Sequence, residues 1–196
     1  MSHFFSRYKV HVLFAAIVFA GLAFAFLVTG GYYPVALVNG SFVSARTVNR
    51  EYAASDFYYH KMLETYGDKA FGTSTLAATD LEASAMEKIV EDILVEKAAQ
   101  KEVGSALTDL VASKLSAVGS DTELQTAAGT LYGLDQNGFR DFVLVPQAER
   151  DILSGRLFLK GQKFDDWLVE AKQSANVSIF SSQFRWTSQG VATSTP

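Results

Sequence analysis

The chain has 196 residues, enough for one domain of ordinary size beside an anchor or export segment. It contains no cysteine, which excludes disulfides and thiol chemistry. Its 17 basic and 21 acidic residues give a net charge of −4 with no basic stripe, a balance that argues against nucleic-acid binding.

The first element in the chain is Val12 to Val28, VLFAAIVFAGLAFAFLV, with no charge and no polar side chain. At about 1.5 Å rise per residue it forms about 25 Å of helix, near the lower limit for crossing a bilayer core. Thr29 to Tyr33 can extend it, and Tyr32 and Tyr33 suit an interfacial belt. Arg7 and Lys9 precede the span, and no acidic residue comes before Glu51. The positive-inside bias then predicts a single pass, with a cytoplasmic N-terminus and everything after Tyr33 outside. Setting those two residues aside leaves 15 basic against 21 acidic residues in the exported part, a net charge of −6. A cleaved signal peptide is the rival reading, with Ala23-Phe24-Ala25 as its small-x-small site. The apolar run continues through Val28 with no polar region before Ala25, which favours a retained anchor. The predicted organisation is a stub and anchor over 1–33, a domain over 34–187 and a flexible tail over 188–196.

After Pro34, two short β-prone runs flank Asn39-Gly40, which predicts a hairpin with a type I′ turn. Such a hairpin is marginal alone, so a later strand must cover it. Val48, Tyr52, Phe57, Leu63 and Tyr66 recur at helical spacing and predict a helix over Thr47–Tyr66, stopped by Gly67. The longest predicted helix, Asp80–Val103, opens on a Thr79-x-x-Glu82 capping box and should be the spine of the domain. Its apolar stripe is Leu81, Ala85, Ile89, Ile93 and Leu94, widened by Met86 and Val90. Shorter helices come next: Thr108–Val118, then one from a second capping box at Ser120-Asp121-Thr122-Glu123 to Tyr132, then a segment capped by Asp135. Pro146 should interrupt that segment before a helix over Gln147–Leu159, and Phe164 to Ala171 forms the last helix. Val177 to Phe180 alternates in the strand period and is expected to pair with the early hairpin. The fold class is therefore mainly α with a small β element behind a transmembrane helix, closed by the hairpin and a late strand.

No catalytic, metal or cofactor site stands out. His3, His11 and His60 are scattered, and Glu91-Asp92 and Asp165-Asp166 are neighbours that diverge by about 100° on a helix, which reads as a solvated face. Asn39-Gly40-Ser41 and Asn176-Val177-Ser178 match the glycosylation sequon but fall on strand or turn positions and read as structural. Aromatic residues are in surplus, with 8 Tyr, 15 Phe and 2 Trp. Tyr58, Tyr59, Met62, Tyr66 and Phe71 gather around the first domain helix and its loop. Core packing accounts for most such residues; the functional alternative is an exposed apolar surface that holds client segments.

The order of elements resembles the N-terminal domain of SurA-like extracytoplasmic chaperones, the group of PrsA- and PpiD-type foldases. The resemblance is carried by Val38-Asn39-Gly40 with Val43-Ser44, by the amphipathic stretch Met86–Ala98, by Gly133-Leu134-Asp135-x-x-Gly138-Phe139-Arg140, and by Phe164-Asp165-Asp166-Trp167-Leu168 before the Val177–Phe180 strand. It spans most of Val35–Phe180 and implies a helical domain that holds unfolded or extended exported polypeptides. The Pro146–Trp167 interval is too short for a parvulin domain, so prolyl isomerase activity is not carried over. The expected protein is thus an extracytoplasmic holdase, on the periplasmic or cell-surface side, anchored through Val12–Val28. The alternative is a membrane-tethered scaffold that binds one specific partner.

Overall fold

The computed structural model describes residues 3–67, 77–118 and 121–194. Helix α1 (His3–Thr29) is apolar on every side over Val12–Thr29, with mean hydropathy 2.6 and none of that span buried. It is long and apolar enough to cross a membrane. No linker separates it from the domain. Tyr32 N–H donates to the Leu27 carbonyl (2.9 Å), Arg46 N–H to Gly31 (2.7 Å) and Ala45 N–H to Tyr33 (3.0 Å). The Arg46 guanidinium also lies over the Tyr32 ring, 5.0 Å from its centroid, and donates to the Tyr32 hydroxyl. Gly31 has φ +70, and a Cβ there would come within 3.2 Å of the Arg46 nitrogen, so glycine is what lets helix and domain approach this closely.

Strands β1 (Pro34–Val38) and β2 (Ser41–Ser44) form the expected hairpin, with Asn39 and Gly40 both at positive φ (47 and 85). Strand β3 (Val177–Ile179) pairs antiparallel with β1, so the sheet order is β2-β1-β3. Asn39 fixes that register through its Oδ1, which accepts from Asn176 N–H at 2.8 Å. The late strand thus covers the hairpin as its alternation predicts. The flexible tail predicted over 188–196 needs correction: β4 (Phe184–Thr187) and β5 (Gly190–Thr193) form a second hairpin, and only 195–196 lie outside the described residues. Small polar residues hid this strand. Its order comes from Trp186 and Val191, which pack on the core, and from Val191 N–H, which donates to the Glu87 carboxylate (3.3 Å).

Helix α2 (Ala45–Tyr66) is capped by Ser44, whose Oγ accepts from Thr47 N–H at 3.2 Å. Helix α3 (Ala78–Val103) is the spine. Met86, Ile89, Val90 and Leu94 face the sheet and Val48. The second half of α3 presents Val95 and Ala99 to α4 (Leu107–Leu115) and α7 (Val145–Leu159). The Thr79–Glu82 capping box does not form. Ala77 is the N-cap and uses no side chain, so Thr79 already lies inside the helix, where its hydroxyl cannot cap. Ser120, the start of the second box, and Phe71 lie outside the described residues.

Helix α5 (Asp121–Ala127) runs through a π-helical turn, Ala128–Tyr132. Helix α6 (Gln136–Phe139) is capped by Asp135, which accepts from Gly138 N–H at 2.7 Å. Pro146 does not interrupt the helical path beyond α6. A π-helical turn, Arg140–Leu144, joins α6 to α7 and places Pro146 in the first turn of α7, where its missing N–H costs little. The Phe142 carbonyl, which a residue other than proline at 146 would serve, accepts instead from Lys88 Nζ at 3.0 Å. Helix α8 (Phe164–Ser174) closes the helical part. The described residues are mainly helical with a small sheet element.

Candidate functional site

The side of the domain where β2, α2, α3 and the start of α7 converge carries two adjoining clefts. The first, of about 320 Å³, is walled by Phe42, Val43, Ile89, Ile93, Phe142, Val145 and Pro146, with Glu51, Asp92, Glu96, Asp141 and Glu149 among them. The second, of about 370 Å³, is lined by Tyr58, Tyr59, Tyr132, Leu81, Val143 and Lys88. Glu51 and Phe142 line both, so the clefts form one divided groove. Strand alternation sets one rim: Val43 turns into the core while Phe42, its neighbour, is 73% exposed. The π turn before Pro146 sets the shared wall by carrying Phe142 inward beneath Arg50, whose guanidinium stacks 4.7 Å from the ring centroid.

Glu51 is the one buried charged residue among those described. Lys88 reaches its carboxylate at 3.3 Å and that of Asp92 at 2.8 Å. Burial raises the pKa of Glu51 and of Asp92, against the opposing pull of Lys88. Burial also works against the Lys88 ammonium, but Asp92 and Glu51 outweigh it and its pKa is raised. Glu91 and Asp92 are therefore not the solvated pair that their position on a helix suggests. Glu91 meets Lys172 at 2.9 Å and Arg150 at 3.4 Å, which ties α3 to α8 and α7. Lys172 also pairs with Glu87. Asp165 and Asp166 remain on the solvated surface.

Glu149 has no ion-pair partner among the described residues. Its pKa is pushed up to about 7, first by burial and then by the nearby charges of Glu96 and Asp92. A raised carboxyl pKa means that the folded state keeps its proton longer than the unfolded chain. Stability is therefore present below pH 4.5 and declines as pH rises towards about 7. Glu149→Gln is expected to be neutral near pH 4 and to stabilise the protein at pH 8 by about 1 kcal/mol, a figure discounted for partial exposure. Thermal unfolding at the two pH values checks this, and equal effects at both would refute it.

The predicted aromatic cluster divides. Tyr58 is half-exposed, stacks on Tyr132 at 5.1 Å between centroids, and lines the second cleft. Tyr59 is 7% exposed; it belongs to the core and forms only the inner wall of that cleft, because the next position on a helix turns about 100° away from Tyr58. Met62 is half-buried and Tyr66 is exposed, and neither lines the groove. Sequence reasoning missed Phe42, Phe142, Tyr132 and the carboxylates. Only Phe42 had a usable signal, an outward-facing aromatic in a strand whose next residue points inward. His60 sits on the surface, 3.5 Å from Asp56. Among the described residues no three acidic or histidine side chains converge as a metal site. Compared with known proteins, the chain matches no protein-family model, no curated protein and no solved structure.

Proposed function

We propose that the chain is a membrane-anchored extracytoplasmic holdase that receives unfolded or extended exported polypeptides in the divided groove and performs no prolyl isomerisation. The observation that carries this reading is the groove itself: two solvent-open, largely apolar clefts side by side, each in the lower range of ligand-pocket volumes, as an extended segment requires. The SurA-like order of motifs supports the same reading. Arg7 and Lys9 before the apolar span support an outside placement, and the linker-free junction at Gly31 and Arg46 would hold the groove near the membrane surface, where an emerging chain appears. Burying one large apolar side chain contributes roughly 1.5–3 kcal/mol. Two or three of them, after the cost of association, give micromolar holding of many sequences.

The test uses the full chain in lipid nanodiscs with two unrelated unfolded proteins. Suppression of aggregation is expected for both. Phe42→Ser should weaken it several-fold while the melting temperature stays nearly fixed, since that side chain is 73% exposed. Tyr58→Ser should weaken it too but also lower the melting temperature, because it removes the stack on Tyr132. Binding of a single partner, with no effect on the unfolded clients, would favour the tethered scaffold instead. A reporter fused after Pro196 should be active only outside the cytoplasm.

A further inference from the structure

The end of the sheet that holds Phe180 is tied directly to the end of α1. Strand β1 starts at Pro34, one residue after Tyr33, and Phe180 N–H donates to the Val35 carbonyl at 2.7 Å. At about 3.3 Å per residue, Val35 stands at most about 7 Å beyond Tyr33, and Phe180 lies one strand spacing, about 4.8 Å, to its side. The headgroup layer of one bilayer leaflet is about 5–8 Å deep, so an α1 that spans the hydrocarbon core leaves Phe180 within reach of that layer. Strand alternation packs Ile179 on the core and turns Phe180 outward, where it is 56% exposed. The Tyr32 ring stacks on Phe26 in α1, with 5.7 Å between centroids, and holds the exposed Arg46 at the same level through its ring and hydroxyl. All 21 acidic residues lie between Glu51 and Glu170. Neither the segment from Thr29 to Arg50 nor the one from Ala171 to Pro196 carries a carboxylate side chain.

We propose that this end of the sheet is a lipid-docking surface: Phe180, with Tyr32 and Tyr33, sits in the headgroup layer of the bilayer that α1 crosses, and Arg46 pairs there with lipid phosphate. The proposal rests on the transmembrane reading of α1 and gives the domain a second attachment to the same membrane. Continuity with the span selects lipid over a protein partner, because the junction already holds Phe180 against the headgroups. An exposed phenylalanine gains by leaving water, and the interface is where amphipathic rings such as Tyr32 and Tyr33 concentrate. Charge complementarity points the same way. A guanidinium pairs bidentately with phosphate, and the two segments at this surface bring no carboxylate side chain to compete for it. Attachment at both α1 and Phe180 fixes the tilt of the domain and turns the Asn39-Gly40 end away from the membrane. The end of α7 goes with it: Lys97 Nζ meets the Asn39 carbonyl at 2.6 Å, and five residues further along α3 Glu102 meets Lys160 at 2.6 Å.

The chain has no cysteine, so a single introduced one carries one environment-sensitive fluorophore. The experiment places the full chain in nanodiscs of phosphatidylcholine and phosphatidylglycerol, with a nitroxide quencher either close to the headgroup or deep on the acyl chain. A label at Phe19→Cys, in the middle of the span, is expected to be quenched mainly by the deep nitroxide. A label at Phe180→Cys should be quenched mainly by the shallow one. A label at Phe158→Cys, 79% exposed near the end of α7, should be quenched by neither. A label at Ser182→Cys, with Phe180 in place, should also respond to the shallow nitroxide, and adding Phe180→Ser should lower that response several-fold. If the Phe180→Cys label is as free of quenching as the Phe158→Cys label while the Phe19→Cys label is quenched, the proposal is overturned and the anchor stands. Quenching of the Phe158→Cys label to the same degree as the Phe180→Cys label also overturns it, since the domain would then lie on its side. So does a Ser182→Cys response that Phe180→Ser leaves unchanged. A Phe19→Cys label that neither nitroxide quenches overturns the transmembrane reading and the proposal with it.

Discussion

Ending the chain after Ser174 is expected to abolish cooperative folding of the domain rather than fray its end. The truncation removes β3, β4 and β5 together, and with them Val177, Ile179, Trp186 and Val191, all packed against the core that the sheet, Val48 and α3 share. Ala36 and Val38, both at 0% exposure, would lose the strand that covers β1. Each lost side chain contributes about 1–2 kcal/mol, given that these four are partly rather than fully buried. Their sum is comparable to the whole stability of an ordinary domain, about 5–15 kcal/mol. Far-ultraviolet circular dichroism on the full chain and the truncated chain in the same detergent makes the comparison. A truncated chain that melts with the same midpoint would show that the hairpin stands without its late strand. Ending the chain after Phe180 should have a smaller effect, because β3 and its bonds to Asn39 remain.

Lys88→Met should be the most damaging single substitution at the groove, at about 2–4 kcal/mol near neutral pH. Removing one partner of a buried pair leaves the other charge uncompensated, and Glu51, at 5% exposure, has almost no access to water. The value sits below that of a fully buried pair because the Lys88 side chain is 38% exposed. The same change removes the donor to the Phe142 carbonyl, which the π turn and Pro146 leave without its helical partner. The sign of the Glu51 shift sets the pH dependence. Burial already raises the Glu51 pKa, and losing Lys88 raises it further. The folded variant would therefore retain its proton over a wider range, and its deficit should be small near pH 4.5 and grow as pH rises. Glu51→Gln in the Lys88→Met background should recover much of the loss. A melting temperature unchanged at pH 7.5 would show that the pair carries no stability.

The local elements were legible from local pattern. Seventeen uncharged residues at Val12–Val28 can only be solvated by an apolar phase or a large core, and none of the helix they form is buried. Asn39-Gly40 tolerates the positive φ of a two-residue turn, and Asp135 offers an acceptor three residues before a free N–H. These signals act within one to four residues, so a sequence displays them directly. The remaining features depend on partners that are distant in the chain. Lys172 and Glu87 stand 85 positions apart, and Lys88 and the Phe142 carbonyl 54. Pro146 reads as a break until Lys88 serves the carbonyl that proline leaves free. The segment after Gly190 reads as a frayed tail until Glu87 and the core receive Val191. Glu91 and Asp92 read as a solvated face until α7 and α8 bring cations to them. The apolar N-terminal span, the hairpin turn and most of the helices are thus written in the residues themselves, because their energetics are local. The groove and the buried Glu51–Lys88–Asp92 ion pairs at its centre arise only when α2, α7 and β2 pack around α3, because burial and ion pairing depend on which distant surfaces meet.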